Sequence, residues 1–550
     1  MKNASDASTV EVISSTFATQ QSKERLGLRT STGISAFLLV GGLLEVAKNL
    51  AIAYRYGSGG GTDAFFAAFV LPATFAMFWV SSCQVGLVPL LALWARDAEG
   101  QIEKRMSAVL AVSGMLTLGL TGTAYVAAPG LMNLIVPGFS EGHKLQAVRM
   151  FRGLAPLFAL VGITGVLSAF LNSRRSFLLP AAQKLCVNVV VLVGLVIWYF
   201  RAQIERLPSL IVLGSLAYAC ILIAETWGVA FQSVQRLSKA EIRALLAAVL
   251  IPFVTLIARQ TSQVAERAIA SYLPAGSISA LTYAFQLVGG GGAVIVAGVT
   301  TSLMPSLAQQ KSPWMKLEMV RQGFYYLTVV LLPVVFGGYV LAGPVVMILF
   351  QHGAFTAADA SATARMFQAY VFGMIFAGMA MLFQAPFWAD RKYRVLVIHN
   401  SLIAVANVAF DLALVPFLGA TALALGYTLA ALLSSLRMAW LLSKNYGTVL
   451  PKDKLGTVLK PVLISLIMAV VVFAVRKPIS AAVFWQAKPL RQEFLATTFI
   501  AAVGAATYMV GGVVAGMQPF PNLCTGFRNL LLRNSQQRTT FQRGRKDSAQ

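Results

Sequence analysis

Charged residues are scarce in this sequence. Only 12% of its 550 residues are charged, whereas 57% are hydrophobic and the mean hydropathy is +0.72. A soluble chain carries about 25% charged residues, so this one has too little polar surface to cover a soluble globule. The shortage excludes a soluble enzyme or regulator, and lipid is the expected solvent.

Cysteine and histidine are also scarce, with four and three residues. In chain order they are Cys83, His143, Cys186, Cys220, His352, His399 and Cys524. No two cysteines form a CxxC pair, and the histidines lack the spacing of a zinc-binding helix. The glycine-rich stretches have no strand–loop–Lys-Ser/Thr context for a nucleotide. We therefore expect no disulfide framework, no catalytic metal and no cofactor.

Acidic residues are the scarcer charged type, with 20 against 44 basic residues and a net charge of +24. The basic residues lie in short loops between apolar runs, which disfavours a nucleic-acid partner. Two compatible explanations remain: topology, which collects Lys and Arg on cytoplasmic loops, and an anionic substrate. Residues 1–30 are polar and lack the pattern of a signal peptide, so we expect a disordered cytoplasmic N-terminus.

The sequence is rich in long apolar runs. A bilayer core needs about 20 apolar residues per helix, which predicts an all-α integral membrane protein of about 14 transmembrane helices. The predicted spans are 33–55, 64–92, 106–128, 149–172, 177–200, 209–232, 246–271, 276–303, 322–343, 362–388, 394–416, 419–442, 457–475 and 494–516.

Basic residues are concentrated in every second connection between the spans. Even connections carry groups such as Arg174-Arg175 and Arg391-Lys392, whereas the odd connections 271–277 and 417–421 carry none. This asymmetry predicts a multi-pass protein of a bacterial inner (plasma) membrane with both termini cytoplasmic. The basic tail, 519–550, is expected to lie beside anionic lipid.

Landmarks recur in the same order at an offset of about 216 residues. The pairs are Gly57–Asp63 with Pro274–Ser279, Pro137–Phe139 with His352–Phe355, and Arg174-Arg175 with Arg391-Lys392. A unit of six helices is even, so the two copies share one orientation and form a parallel repeat around a central cavity. The predicted domains are an N-lobe (31–235), a C-lobe (240–445), two C-terminal helices (455–518) and the tail.

Ionisable residues inside the predicted spans are the candidate functional groups. Each costs roughly 2.5–3.5 kcal/mol to insert, so it normally faces a cavity or a partner. They are Glu45, Lys48, Lys184, Glu225, Arg259, Glu266, Arg267 and Asp411, with Asp63 at the entry to the second span. We interpret Glu225 and Asp411 as structural or interfacial.

Two groups of these charges each share one helix face. Glu45 and Lys48 are three residues apart, and Arg259 lies seven and eight residues before Glu266 and Arg267. The first and seventh spans are equivalent in the repeat, so both copies place cations on their first helix. This pattern suits an anionic head group between two bundles, and the planar fork of Arg suits phosphate. The alternative is a set of structural ion pairs, such as Glu45 with Lys48 and Glu266 with Arg267.

Four stretches carry a family resemblance. They are YGSGGGTDAFFAAFVLP (Tyr56–Pro72), VPGF (Val136–Phe139), ASYLPAGSISALTYAFQL (Ala270–Leu287) and LFQHGAFTAAD (Leu349–Asp359). In this order they resemble the MviN/MurJ family of lipid II flippases, in the multidrug/oligosaccharidyl-lipid/polysaccharide exporter superfamily. The resemblance implies 14 helices, two lobes, a cationic cavity, alternating access and a substrate carried on undecaprenyl pyrophosphate.

The resemblance also assigns roles to individual residues. Lys48 occupies the position of a functional arginine of the first helix, and Asp63 matches the aspartate of TDAFF. Three family arginines are replaced here, by Gly42, by Ala76 and by Gln286. We expect Lys184, Arg259 and Arg267 to substitute for them, which leaves lipid II and a related exopolysaccharide repeat unit both open as substrates.

The sequence therefore predicts a flippase of the peptidoglycan or polysaccharide pathway rather than an enzyme. The predicted substrate-binding residues are Lys48, Asp63, Lys184, Arg259, Arg267 and Gln286, and the predicted gating or ion-pair residues are Glu45, Glu266 and Arg55. The expected partners are the polyprenyl-pyrophosphate-linked glycan, membrane lipids and glycan-synthesis proteins.

Two other classes compete with this prediction. A cation-coupled small-molecule antiporter of the same superfamily would use acids such as Glu45, Glu225 and Asp411. A glycan polymerase or ligase would need a large outer loop with paired carboxylates. The longest outer segments, near 129–148 and 476–493, hold no such pair.

Overall fold

The fold is all-α in a computed structural model that describes residues 37, 39–97, 101–197, 203–230, 238–257, 261–450, 455–481 and 490–517. Within these ranges every regular element is a helix. The helices are α1 (39–56), α2 (Gly60–Ser82), α3 (Val88–Asp97), α4 (Gln101–Ile135), α5 (Glu141–Leu154), α6 (Pro156–Ser173), α7 (Leu178–Ala181), α8 (Gln183–Ile197), α9 (Leu207–Glu225), α10 (Trp227–Ala230), α11 (Lys239–Ile257), α12 (Thr261–Ala270), α13 (Ser277–Gln309), α14 (Pro313–Phe350), α15 (Ala357–Ala389), α16 (Tyr393–Leu418), α17 (Thr421–Tyr446), α18 (Leu455–Ala481) and α19 (Leu490–Val514). A π-helical turn, Cys83–Leu87, joins α2 to α3.

Ten segments in the described part of the chain are long and apolar enough to cross a bilayer. They are Gly60–Trp94, Arg105–Ile135, Glu141–Ser173, Ile204–Glu225, Pro313–Phe350, Ala357–Ala389, Tyr393–Leu418, Thr421–Tyr446, Leu455–Arg476 and Gln492–Val514. The prediction of an all-α integral membrane fold is confirmed. The total of about 14 spans stays a prediction, as do the boundaries of the lobes.

The first of two compact units contains the described residues up to Tyr283 together with His352–Asp359. Its interior is aromatic: Phe75 stacks on Trp79 with ring centroids 5.4 Å apart and meets Phe158 edge-on at 4.9 Å. Helix α11 packs against the π-helical turn. A Cβ at Gly86 would lie 1.7 Å from the carbonyl oxygen of Ala248, so only glycine permits this approach.

The second unit contains Ala284–Gln351 and the described residues from Ala360 onward. The C-terminal helices α18 and α19 pack on α14 around Met468, Val472 and Ile500. Two hydrogen bonds to backbone carbonyls of α14 reinforce this packing. The Tyr508 hydroxyl donates to Val329 at 2.7 Å, and the Arg476 guanidinium donates to Val340 at 2.7 Å.

Helices α6 and α15 end in the same way, 216 residues apart. Ser176 N–H donates to the Leu171 carbonyl, and Lys392 N–H donates to the Phe387 carbonyl, which closes a Schellman motif on each helix. The left-handed position of each motif holds an arginine instead of the usual glycine: Arg175 has φ 63° and Arg391 has φ 56°. This shared backbone detail supports the internal repeat independently of side-chain similarity.

Candidate functional site

Charged side chains of α1 and α8 meet within the first unit. The helices approach closely, since a Cβ at Gly41 would lie 3.2 Å from the Cβ of Lys184. The Asn188 amide donates to the Gly41 carbonyl at 3.3 Å and fixes the register between the helices. In this register the Lys184 ammonium lies 2.8 Å from a carboxylate oxygen of Glu45. The partner of Glu45 is therefore on another helix and is not Lys48.

Lys48 is left as an uncompensated cation. Within the described part of the chain it makes no ion pair or hydrogen bond, although the charges of Glu45 and Lys184 act on it. Two ammonium groups share one carboxylate, so the cluster has a net charge of +1. Lys48 precedes Gly57 by nine residues, about 13 Å of helix axis. A single cation at that depth can bind an anion more favourably than one on the surface, because fewer waters compete.

Asp63 anchors the start of α13. One carboxylate oxygen accepts the Gly276 N–H at 2.7 Å, and the other accepts the N–H and the hydroxyl of Ser279, both at 2.7 Å. The N-terminus of a helix presents free N–H groups and a positive dipole end, and both favour a carboxylate. Asp63 is only 2% exposed, so a substrate would reach it only after these hydrogen bonds break.

Asp63 and Ser279 are equivalent residues of the repeat, 216 positions apart. A residue can contact its own counterpart only near the symmetry axis. Phe66 and Tyr283, 5.4 Å apart and edge-to-face, form a second such pair within one residue of the same offset. The axis of the predicted repeat is therefore expected to pass between the first turns of α2 and α13.

The loops after the third and ninth predicted spans dock reciprocally within the first unit. Gly138 N–H donates to the Ser271 hydroxyl at 2.9 Å, just after the end of α12. Ala354 N–H donates to the Tyr54 carbonyl at 2.8 Å, near the end of α1. Each loop thus binds the first helix of the other repeat. A Cβ at Gly353, which has φ 60°, would lie 2.3 Å from the Tyr54 carbonyl oxygen, so this contact requires glycine.

The remaining predicted residues lie in different surroundings. Arg267 donates to the Ile278 carbonyl at 3.3 Å, and its charge acts on Asp63. Glu266, on the same helix, is partly buried and engaged in a polar contact. Arg55 is partly buried near the end of α1 and contacts the Tyr56 side chain. Arg259 lies outside the described residues, so the stripe that it was predicted to form with Arg267 stays a prediction.

Gln286 belongs to the second unit, where it lies on α13. Its side-chain carbonyl oxygen is buried and has no hydrogen-bond partner in the described part of the chain. A buried amide oxygen without a partner costs about 1–3 kcal/mol. It is therefore available for a water or a ligand group.

A second cationic surface follows one face of α11. Lys239 and Arg243 are exposed at the start of a groove of about 400 Å³, and Leu246 and Leu250 continue it. Glu241 does not neutralise them, because its carboxylate accepts the Ser238 N–H at 2.8 Å and lies 3.3 Å from Arg105. The hydrogen bonds with the Ser238 backbone and hydroxyl, and then the Arg105 charge, lower the pKa of Glu241 below its ordinary value.

Sequence reasoning missed the partners rather than the charged residues themselves. Lys184 was identified, but its pairing with Glu45 depends on the rotation of two helices about their axes. Ser58 was also missed; its hydroxyl donates to the Gly276 carbonyl at 2.9 Å and reinforces the Asp63 anchor. The offset of 216 residues pointed to this anchor, because it equates Asp63 with Ser279.

Sequence comparison with known proteins identifies a family for this chain. The sequence profile described as lipid II flippase MurJ matches residues 52–489. The probable lipid II flippase MurJ of Buchnera aphidicola subsp. Acyrthosiphon pisum is 23% identical over 501 residues, covering 88% of this chain and 96% of that protein. The lipid II flippase MurJ of Burkholderia cenocepacia is 23% identical over 422 residues, covering 73% of this chain and 81% of its own length.

Solved structures agree on the fold. The structure of a lipid II flippase MurJ in an inward closed conformation has a TM-score of 0.75 at 18% identity, covering 88% of this chain and 98% of that one. A multidrug resistance transporter of the MATE family, in an inward-facing conformation, has a TM-score of 0.60 at 14% identity, covering 74% and 95%. The sequence match favours the flippase over the small-molecule antiporter. Because the profile covers well over half of the sequence, this chain belongs to the lipid II flippase MurJ family.

Proposed function

We propose that this protein moves an undecaprenyl-pyrophosphate-linked glycan from the cytoplasmic to the periplasmic leaflet by alternating access. The substrate is lipid II or a related exopolysaccharide repeat unit, and both termini of the protein are cytoplasmic. The observation that carries the proposal is the family match over residues 52–489. Translocation of this kind makes and breaks no covalent bond, so the protein needs no catalytic residue of its own.

Lys48 is the first residue that we assign to the head group. Its ammonium has no partner in the described part of the chain, whereas Lys184 is already paired with Glu45. A pyrophosphate would supply the missing negative charge and could displace Lys184 from Glu45. Lys184, Arg259 and Arg267 are the further cations in this proposal, and the amide oxygen of Gln286 would accept a hydrogen bond from a glycan hydroxyl rather than from the pyrophosphate.

Asp63, which the sequence predicted to bind the substrate, serves the conformational cycle in this proposal, because its buried carboxylate already accepts three hydrogen bonds. Its three hydrogen bonds hold α2 to the start of α13. Under the predicted topology these turns lie on the periplasmic side, so release of the glycan requires the anchor to open. Arg267, whose charge acts on Asp63, would stabilise the free carboxylate after opening.

The decisive experiment measures flipping in proteoliposomes. Purified protein is reconstituted with fluorescent lipid II, and an impermeant reagent reports the fraction that reaches the opposite leaflet. Lys48→Gln should lower the rate at least tenfold, because one charge-assisted contact with phosphate is worth about 1.5–3 kcal/mol. Arg365→Gln is the matched control, since it removes an exposed cation whose hydrogen bond in the described part of the chain is to Ser361. Unchanged flipping after loss of both Lys48 and Arg259 would refute this site.

The identity of the glycan is tested separately. Lipids that co-purify with the protein in mild detergent are identified by mass spectrometry, and the sugar mass separates lipid II from an exopolysaccharide unit. Recovery of phospholipids alone, with no difference between the native protein and Lys48→Gln, would contradict the proposed substrate class.

A further inference from the structure

A buried histidine on the α16–α17 hairpin orients an arginine that the proposed function does not use. His399 of α16 is fully buried. Its Nε2 lies 2.9 Å from the hydroxyl of Ser434, and its Nδ1 lies 2.6 Å from a guanidinium nitrogen of Arg437. Both Ser434 and Arg437 belong to α17, so the imidazole bridges the two helices.

The chemistry of these groups fixes the direction of both hydrogen bonds. Arginine can only donate, so Nδ1 of His399 accepts the hydrogen bond from Arg437. The imidazole is then neutral, and its single N–H, on Nε2, donates to Ser434. Histidine therefore orients the guanidinium without neutralising it.

Arg437 keeps an uncompensated positive charge. In the described ranges its hydrogen-bond partner is His399, which leaves most of its five N–H donors free. It precedes Tyr446, the end of α17, by nine residues, or about 13 Å of helix axis. A guanidinium without a counter-ion at that distance from the helix end is costly inside a membrane and favours binding of an anion.

The helix face around Arg437 carries exposed apolar side chains, as expected of a face that contacts lipid. Leu436 is 60% exposed and Trp440 is 61% exposed. One turn further on, the exposed Lys444 ammonium lies 5.6 Å from the Trp440 ring. Cations and an aromatic ring thus follow one apolar stripe toward the end of the span, as at sites where a membrane protein contacts lipid head groups.

We infer that Arg437, Trp440 and Lys444 bind the head group of an anionic phospholipid. The guanidinium fork contacts two phosphate oxygens, Lys444 adds the second positive charge, and Trp440 lies along the glycerol region. A lipid fits better than a free phosphate because exposed leucines border the cations and would contact acyl chains. The site uses no residue of the proposed glycan site, so either can fail without the other.

Native mass spectrometry of the full-length protein tests this inference. The probes are phosphatidylglycerol, phosphatidylcholine with the same acyl chains, and inorganic phosphate. We expect preferential binding of phosphatidylglycerol, with Arg437→Gln weakening that binding about tenfold. Arg437→Lys should retain part of the affinity, because it keeps the charge and loses the fork. Arg365→Gln, which removes the same charge elsewhere in the second unit, should leave binding unchanged.

Two further measurements separate a binding role from a structural one. Lys444→Gln changes only an exposed side chain and should weaken phosphatidylglycerol binding about threefold while leaving the melting temperature in phosphatidylcholine unchanged. Equal binding of phosphatidylglycerol by the native protein, Arg437→Gln and Lys444→Gln would overturn the inference. So would equal affinity for both lipids, competition by inorganic phosphate at the same concentration, or a dimer that Arg437→Gln dissociates.

Discussion

Two lysines on helices of this protein, Lys48 on α1 and Lys316 on α14, have opposite surroundings. The Lys316 ammonium is bonded to Asp390, whose second oxygen accepts the Tyr446 hydroxyl at 2.5 Å. Among the described residues Lys48 has no such carboxylate, because Lys184 is paired with Glu45. In the sequence Lys48 lies inside a predicted span and Lys316 lies in a basic connection before one, and neither position reveals whether the side chain has a carboxylate partner. Of the two lysines, only Lys316 has a carboxylate partner that neutralises its charge.

The difference separates a structural cation from one available to a ligand. A buried ion pair that also has hydrogen bonds is costly to break, because the remaining charge is left without a partner. An unpaired buried cation destabilises the fold instead, and such a cost is retained where function requires it. The comparison thus predicts opposite effects of the same substitution on stability.

The largest expected effect is on stability at Lys316. Lys316→Met should lower the free energy of unfolding by about 2–4 kcal/mol, since it strands the Asp390 carboxylate. Lys48→Met should be neutral or stabilising, because it removes an unpaired charge. Thermal and denaturant unfolding in one detergent compare the two. The double variant Lys316→Met with Asp390→Leu should recover much of the loss, and a loss at Lys48 as large as that at Lys316 would remove the distinction.

The positions of helices such as α16 and α17 were predicted well because hydropathy depends only on residues that are neighbours in the chain. The predicted span 394–416 corresponds to α16, Tyr393–Leu418, and 419–442 corresponds to α17, Thr421–Tyr446. The span predicted from 149 begins earlier, at Glu141 of α5, because that amphipathic first turn carries charge that a hydropathy window rejects.

The site was predicted only in part, since charge pairing is not local. Glu45 and Lys48 share a face of α1, yet Glu45 binds Lys184, 139 residues away. Whether Lys48 is paired depends on the packing of α8, which no periodicity encodes. Only the repeat, which equates Asp63 with Ser279, gave an indication of the partners of Asp63. No sequence pattern indicated that His399 bridges two helices.

The second-largest expected effect is a pH dependence of stability that comes from the Lys316–Asp390 pair. Burial would raise the pKa of Asp390, but hydrogen bonds from Lys316 and Tyr446 and the charges of Lys316 and Lys392 lower it below its ordinary value. A carboxyl with a lowered folded-state pKa stabilises the fold above its unfolded pKa of about 3.9 and loses this contribution as the pH falls through the folded value. The stability difference between the native protein and Asp390→Asn should therefore be constant near neutral pH and shrink below about pH 4. A difference that stays constant down to pH 3 would contradict the role of this pair.

A smaller effect is expected where Lys184 shields Glu45. Their ion pair is partly exposed, so Lys184→Gln should cost only about 0.2–1 kcal/mol. The freed Glu45 carboxylate can then pair with Lys48 one turn away, which would neutralise the proposed head-group cation. The flipping rate should fall although stability changes little, and Glu45→Gln in the Lys184→Gln background should restore part of the rate, since Lys184 is itself one of the proposed head-group cations. Unchanged flipping by Lys184→Gln would mean that Glu45 does not control the availability of Lys48.

The smallest expected effect is on stability at two helix ends that the internal repeat makes equivalent. Arg175 and Arg391 hold the left-handed positions of equivalent Schellman motifs, where glycine avoids a steric cost. Both side chains are exposed, so Arg175→Gly and Arg391→Gly should each stabilise the protein by about 0.5 kcal/mol, relief of strain being partly offset by a freer unfolded chain. Alanine at either position keeps the strain and serves as the control. Because the two motifs have the same geometry, the two glycine substitutions should act equally and additively in thermal unfolding. A gain at one site with a loss at the other would show that the surroundings of the two helix ends have diverged.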